Sequence, residues 1–518
     1  MLNAARRTRE LDTLATGREI DLLVIGGGVT GVGVALDAAS RGLSVVLAEA
    51  HDLAFGTSRW SSKLVHGGLR YLASGDLAVA HESAVERHLL MTRIAPHLIR
   101  PLPQLLPFVD AVSARQRVLG GAGLWLGDGL RRIAGTPAAV LPRPRRVSAG
   151  EAVSMFPALT RRGLRGGMVA TDGQLIDDAR LVTAIARTAA AHGAVILTRM
   201  RVKDATGDGA TLEDGISGEA LKVRARAVVN AAGVWAGKID PDIRLRPSRG
   251  THIVLDAAAL GSPSAALTVP HPGSISRFVF ALPAQLGRVI VGLTDVDAPN
   301  GVPDVPIPTE AEIDFLLATL SRALERPLTR DDVRGSFAGL RPLVETDADN
   351  GAGTADISRR HRVDVSAAGL VDVLGGKLTT YRAMARDAVD LACTHGGLPD
   401  PGCRTDRLPL VGAPDSPVPI ASPGAHEKSR THPSLIARFG AEAPAVLAAG
   451  GPRGAERVAE GIDVTRAEVI FAVRAEGALD ADDVLDRRTR IGLVAEERTA
   501  AADVIAQVVE ETLDGMQE

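Results

Sequence analysis

Asp21-Leu-Leu-Val-Ile-Gly-Gly-Gly-Val-Thr-Gly-Val-Gly33 is the stretch that decides the fold. Its first five residues form the short apolar run expected of a central strand in a parallel sheet. Gly26 allows a tight turn out of that strand, Gly28 lets the backbone approach a pyrophosphate, and Gly31 permits close packing of helix on strand. The alanine-rich continuation predicts a helix ending near Gly42, a residue suited to leave it. Residues 44–47 predict a second strand. Glu49, just past it, stands where an acid binds adenosine ribose hydroxyls. Strand, turn, helix and strand make one βαβ unit. The helix N-terminus then offers free N–H groups and a positive dipole end to phosphates. A glycine-rich turn without a ligand is the bland alternative, and the fit of strand, helix and acid weighs against it. The glycines alone do not separate flavin from nicotinamide dinucleotides.

Working outward, two later segments favour FAD. Asn230-Ala-Ala-Gly233 follows an apolar run at 227–230, as where a later strand approaches a flavin dinucleotide. Gly375-Gly376-Lys377 precedes a helix predicted from about 379 to 395. Such a helix can aim its N-terminus at the flavin pyrimidine ring and stabilise the charge that reduction puts there. Simple capping by Thr379 or Thr380 is the other reading.

A helix is predicted at 180–192. Short β-like runs at 252–255, 278–280 and 289–291, separated by Gly and Pro, predict a largely antiparallel sheet. Residues 399–433 are rich in Pro, Ser and Gly and predict a linker. Thr465 and Glu468 have capping-box spacing, and 498–513 is an amphipathic run, so a helical C-terminal domain is expected.

The 518 residues exceed one ordinary core. Aromatics are only 3%, so Leu, Val and Ala must fill the interior. A net charge of -3 argues against a general nucleic-acid binder. Two cysteines, Cys393 and Cys403, make no disulfide framework, and a reducing compartment is expected. No Cys/His cluster has zinc spacing, so no metal is expected. Residues 1–19 lack the apolar core of a secretory signal. The most apolar stretch, 22–39, contains five glycines and is expected to be buried, not membrane-spanning. A soluble or peripheral protein is the expectation.

The run Thr57-Ser-Arg-Trp-Ser-Ser-Lys-Leu-Val-His-Gly-Gly-Leu-Arg-Tyr-Leu72 resembles the signature of FAD-dependent glycerol-3-phosphate dehydrogenases. So do Gly292-Leu-Thr-Asp295, Gly339-Leu-Arg-Pro342 and Gly375-Gly-Lys-Leu-Thr-Thr-Tyr-Arg382. Val473-Arg-Ala-Glu476 and Asp483-Val-Leu-Asp-Arg-Arg-Thr-Arg490 resemble the helical domain of that family. Arg59-Trp60 stands where many members have Ser-Arg, and Ala338 where some have Ser. The resemblance implies an α/β fold: a Rossmann-like FAD-binding domain, a β-rich substrate domain similar to D-amino-acid oxidase, and an α-helical C-terminal domain. The division expected is FAD binding at 1–95, 151–240 and 336–398, a basic insertion or cap at 96–150, and a substrate domain at 241–335. The linker follows at 399–433 and the helical domain at 434–518.

The implied reaction oxidises sn-glycerol 3-phosphate to dihydroxyacetone phosphate, with hydride transfer from C2 to flavin N5 and electrons passing to quinone. Such a substrate, with a phosphate charge of about −2, needs cations, a proton acceptor, and its C2 held against the flavin. The resemblance assigns substrate contacts to Arg70, Tyr71, Thr294, Arg359 and Lys377. Arg341 precedes Pro342, which discourages helix there and suggests an irregular turn. It is expected at the C2 oxygen or the phosphate. His252 is the expected general base, because histidine ionises nearest neutrality. A strand histidine bonded only for structure, and arginines that are solvated, are the alternatives. Cofactor contacts are expected from Gly26, Gly28, Gly31, Glu49, Thr57, Ser58, Ser62, Ala231, Gly233, Gly376, Leu378 and Thr379. Lys63 and His66 are left open between flavin and other partners.

Residues 93–165 carry twelve arginines against Asp110, Asp128 and Glu151, a balance of +9. Leu119, Leu124, Trp125, Leu126, Leu130 and Ile133 mix there with Arg115, Arg117, Arg131 and Arg132. A basic amphipathic segment of this kind can lie in an anionic membrane interface. An ordinary solvated basic face is the alternative, and five glycines between 120 and 129 weaken a regular helix. Cytoplasmic location, peripheral on the membrane, is the expectation, with homodimerisation left open. An oxidase using oxygen, a flavoenzyme acting on amines, and a non-catalytic FAD-binding module are the competing readings.

Overall fold

The computed structural model describes residues 1–68, 76–272, 274, 277–298, 301–344, 360–416 and 432–516. The deciding stretch forms the strand Ile20–Ile25 and the helix Val29–Ser40, followed by the strand Val45–Ala48. Leu22, Leu23 and Val24 are fully buried, which is why the strand shows no polar alternation. The Asp21 carboxylate accepts from Ser44 N at 2.8 Å and Ser44 Oγ at 2.7 Å, closing the return from helix to strand.

Among the described residues the first sheet runs Val195–Leu197, Val45–Ala48, Ile20–Ile25, Ala220–Asn230, Val371–Leu374 and Arg362–Val365. Along this order the neighbours are parallel except the last pair, and an antiparallel hairpin, Met200–Thr206 and Gly209–Asp214, extends from Ala220–Asn230. Ile25 lies beside Ala48 on one side and Asn230 on the other. The carboxyl ends of three strands therefore converge at Gly26, Glu49 and Ala231, the level at which open parallel sheets bind ligands. Helices Val29–Ser40, Asp178–Ala191 and Tyr381–Gly396 pack against one another on this sheet.

The second sheet is largely antiparallel. Near one edge, Leu245–Asp256 pairs along its length with Val333–Val344 and, on the other side, with Arg288–Gly292. Strands Ile99–Pro107, Arg145–Val147 and Gly167–Leu175 also join it, so the sheet crosses the boundaries expected at 150 and 240. Leu105, Val147 and Val169 draw these strands in by burying against Ile253 and Leu267 in one core.

Two local expectations change. The glycine-containing basic segment forms one regular 20-residue helix, Ala114–Ile133. A capping box between Ser113 and Gln116 starts it, and a buried Asp128–Arg131 pair at 2.6 Å supports its last turn. The Pro-rich segment from 399 is not a free linker over its described part. Leu410 and Val411 are buried; Leu410 N donates to Ile94 O at 2.8 Å, and Val411 N donates to Thr188 Oγ1 at 3.1 Å. Residues 417–431 lie outside the described set.

The C-terminal helices include Pro433–Phe439, Ala443–Ala449, Arg466–Ala475 and Ala495–Asp514, with the capping box at Thr465 and Glu468 present. Buried ion pairs fasten this domain to the first sheet's helices and loops. Arg180 meets Glu476 at 2.8 and 3.0 Å, and Arg187 meets Glu442 at 2.7 Å through both branches. Asp52 accepts from Arg487 at 2.6 Å and from Arg488 at 2.8 and 2.9 Å. Burial opposes ionisation of Asp52, but Arg488 and Arg487 outweigh it and hold the carboxyl down to about 2.

Asp52→Ala leaves the buried Arg488 without its anion and strips Arg487 of one of its two, Asp483 remaining. It is expected to cost about 3–5 kcal/mol, read as a lowered urea midpoint. Because the folded pKa lies below the ordinary 3.8, the Asp52 contribution is present above that value and fades as pH falls toward about 2. An unchanged midpoint would show that the clamp is not needed for stability.

Candidate active site

Gly26 leaves the strand with φ +109 and donates its N–H to Ala48 O at 2.8 Å. A Cβ there would meet Ala231 O at 2.7 Å, and one on Gly31 would collide with the Gly26 carbonyl. Gly28 caps the helix without a side chain, and Val29 N donates to Ser58 Oγ at 2.9 Å. The first amides of the helix have no intrahelical partner. The Glu49 carboxylate accepts from Gly27 N at 2.6 Å and His51 N at 2.8 Å. Burial raises its pKa, against those two bonds. Ala231 N donates to Ile25 O at 2.9 Å, and Gly233, with φ +59, opens the turn Gly233–Trp235. Gly26, Gly28, Gly31, Glu49, Ser58 and Ala231 are thus brought together. Bare helix amides beside an acid at a strand end suit the diphosphate and ribose of FAD.

Gly376, with φ +80, leads through Lys377 into the tight turn Leu378–Thr380 and the helix Tyr381–Gly396. Thr379 is buried, and Thr380 makes no side-chain capping bond. This helix crosses the glycine-loop helix so closely that a Cβ on Gly33 would lie 2.9 Å from Tyr381 Cδ2. Lys377 Nζ donates to Ser83 Oγ at 2.7 Å.

On the substrate side, Arg341 sits within the strand Val333–Val344, not in an irregular turn. Pro342 faces Pro247 across the ladder, so two residues without N–H groups oppose each other, and extended backbone meets the restriction before proline. Ser248, Gly250 and His252 alternate on one strand opposite Arg341, Gly339 and Phe337. The Arg341 guanidinium covers Gly250, where any Cβ would collide with it. Its Nη1 donates to Ser248 Oγ and to Asp295 Oδ1, both at 3.2 Å, and its Nη2 donates to Thr294 O at 3.3 Å. Thr294 Oγ1 accepts from Thr251 N at 3.0 Å and donates to Glu312 Oε1 at 2.8 Å.

His252 is 2% exposed and stacks on Phe337 with ring centres 4.7 Å apart. Its Nε2 lies 2.8 Å from Ser62 Oγ, and its Nδ1 has no hydrogen-bond partner among the described residues. Burial pulls its pKa down to about 3, helped by Lys63 and Arg341 and opposed by Asp178. The imidazole is therefore neutral, the form that accepts a proton.

One loop joins the two halves. Ser58 caps the glycine helix, Thr57 Oγ1 donates to Leu340 O at 2.7 Å, and Ser62 reaches His252. Lys63, left open between flavin and other partners, is buried and donates to Asp178 Oδ1 at 3.0 Å. His66 Nδ1 lies 3.1 Å from Asp172 Oδ2, whose other oxygen accepts from Arg87 at 2.6 Å. Arg70, Tyr71 and Arg359 lie outside the described residues. Sequence reading missed Asp178, Ser248, Asp295 and Glu312. Asp177-Asp178 before an apolar run signals a helix start, but Lys63 lies 115 positions away and carries no such signal.

The model of the family described as FAD dependent oxidoreductase matches residues 21–391, and that described as C-terminal domain of alpha-glycerophosphate oxidase matches 403–517. Glycerol-3-phosphate dehydrogenase 1 of Mycobacterium tuberculosis is 57% identical over 502 residues, covering 96% of each chain. Glycerol-3-phosphate dehydrogenase 2 of the same organism is 37% identical over 528 residues, covering 98% of this chain and 87% of the relative. Among solved structures, the glycerol-3-phosphate dehydrogenase from Bacillus halodurans complexed with FAD superposes with a TM-score of 0.73 at 26% identity. That match covers 100% of this chain and 97% of the other.

Gly31→Ala is expected to abolish flavin retention, read as loss of the flavin absorbance that purifies with the protein; full retention would mean the loop tolerates the contact. His252 carries a second prediction. Its folded pKa, about 3, lies below the ordinary 6.5, so its contribution to stability is complete above 6.5 and is lost as pH falls below that. The Tm gap between the native protein and His252→Gln should therefore change between about pH 7 and pH 5. A gap independent of pH would contradict the buried neutral imidazole.

Proposed function

The chain belongs to the FAD-dependent glycerol-3-phosphate dehydrogenase family, and from that premise we propose that it oxidises sn-glycerol 3-phosphate to dihydroxyacetone phosphate and passes the electrons to a quinone. The observation that carries this reading is one face of the second sheet. On it Arg341, braced by Ser248 and Asp295, and the neutral His252 lie together beside the loop that caps the glycine helix. Bound FAD supplies the two-electron acceptor for the hydride. Arg341 orients the phosphate or the C2 oxygen, and Thr294 closes the wall behind it. His252 takes the C2 hydroxyl proton at Nε2 as the carbonyl forms. A dianionic substrate offsets Lys63 and Arg341, the two cations that depress its basicity. Arg70, Tyr71, Arg359 and Lys377 complete the proposed phosphate contacts. Gly26, Gly28, Gly31, Glu49, Ser58 and Ala231 hold the cofactor, joined by Thr57, Ser62, Gly233, Gly376, Leu378 and Thr379.

Quinone delivery requires access to a bilayer. Val118, Leu119, Trp125, Leu126 and Ile133 are exposed on the helix Ala114–Ile133, with Trp125 at 52% and Leu126 at 62%. Arg115, Arg117 and Arg132 share that helix within the arginine-rich segment. An exposed apolar stripe bordered by arginines suits the interface of an anionic membrane. No helix among the described residues is long and apolar enough to cross one. The proposal is therefore peripheral attachment on the cytoplasmic side.

Anaerobic addition of sn-glycerol 3-phosphate should bleach the flavin band, with fast recovery on adding a soluble quinone and slow recovery in air. Fast recovery in air would favour oxidase chemistry, and no bleaching would sink the substrate assignment. Arg341→Ala should lower the bleaching rate roughly 100-fold with flavin retained; loss of flavin would instead make Arg341 a structural residue. Replacing Trp125 and Leu126 by Glu should release the protein from vesicles containing anionic lipid without slowing bleaching. Undiminished co-sedimentation would move the membrane contact elsewhere.

A further inference from the structure

Asp483-Val-Leu-Asp-Arg-Arg-Thr-Arg490 belongs to the C-terminal domain and contributes nothing to the proposed substrate contacts. Its last residue is nonetheless directed at the loop that reaches His252. Arg490 is 2% exposed, and its guanidinium lies over the Trp60 ring, 5.3 Å from the centroid. Nη2 donates to Arg59 O at 2.6 Å, Nη1 donates to Asp486 O at 2.5 Å, and Nε pairs with Asp177 Oδ2 at 3.2 Å.

Asp177 and Asp178 are adjacent and both buried. Two carboxylates in such a place need two cations, and Lys63 and Arg490 are the ones beside them. Asp178 Oδ2 accepts from Ser61 N at 2.9 Å and Ser61 Oγ at 2.8 Å, while Oδ1 takes Lys63 Nζ at 3.0 Å. Between those two residues sits Ser62, whose hydroxyl lies 2.8 Å from His252 Nε2. Arg490 therefore grips this loop at Arg59 and at the aspartate pair, on either side of the serine that meets the imidazole.

We infer that Arg490 is a positioning residue for proton removal: it fixes residues 59–63 so that Ser62 holds His252 Nε2 toward the substrate. The inference rests on the reading of His252 as the base. It makes the helical domain part of the reaction's alignment although none of its residues is among the proposed substrate contacts. The charged groups facing His252 are Lys63, Arg341 and Asp178. Loss of Arg490 leaves the two aspartates to Lys63 alone and raises the proton affinity of the imidazole.

The test uses the flavin-loaded, full-length enzyme and follows anaerobic flavin reduction by sn-glycerol 3-phosphate across about pH 3 to 9. Arg490→Gln should slow reduction roughly 10- to 100-fold, leave half-saturation near that of the native enzyme, and shift the acid limb upward in pH. Arg490→Lys should restore part of the rate and most of the limb. In a His252→Gln background, Arg490→Gln should add no further loss. A native rate and limb for Arg490→Gln, or a loss that multiplies in full in the double variant, would overturn the inference while leaving His252 as the base. If Arg490→Gln does not retain flavin, a fully native rate in Arg490→Lys overturns it equally. A native rate for His252→Gln would sink the base assignment and this inference together.

Discussion

The pairing of Lys63 with Asp178 is the constraint on which both halves of the site depend. A buried ammonium cannot stand without an anion, and a buried carboxylate at a helix start cannot stand without a cation. Their contact at 3.0 Å anchors the loop that runs from the glycine helix to the second sheet. Ser58 touches the helix amide at one end of that loop, and Ser62 touches His252 at the other. The cofactor cradle and the proposed proton acceptor thus share one short, doubly tethered segment. A shift in the ion pair would move both.

The charge distribution follows the same logic. Burial disfavours a charged ring at His252, and its mainly cationic neighbours add to that effect, so the ring waits uncharged. In the proposed reaction a dianion beside Arg341 and Lys63 would offset the cationic part of that bias. At the strand terminus Glu49 accepts from two backbone amides, where the proposed reading places the ribose of the cofactor.

The C-terminal domain is held by arginines in buried pairs, with Arg487 and Arg488 on Asp52 and Arg180 on Glu476. Asp52 lies three residues after Glu49, and Ala54 N donates to Gly27 O at 3.0 Å, so this clamp also bears on the glycine loop. Arginine suits such sites because its planar fork satisfies two acceptors at once. The helix Ala114–Ile133 shows the complementary case. Val118, Leu119, Trp125, Leu126 and Ile133 face outward, where no described part of the chain covers them.

Local pattern was enough to determine the glycine turn, its flanking strands and helix, Glu49, and the Thr465 capping box. Each depends on residues within about one turn or one strand of each other. The resemblance carried by the motif strings reached Arg341, His252 and Thr294 as site candidates. It did not reach their neighbours. That Arg341 is a strand residue lying over Gly250, that Lys63 answers Asp178, that 399–416 packs into the core, and that Arg490 grips the loop before His252 were decided only by tertiary structure. Those partners are separated by tens to hundreds of positions. Complementary charge and shape join them only once the chain has folded, and no periodicity in one sequence records which cation will meet which anion.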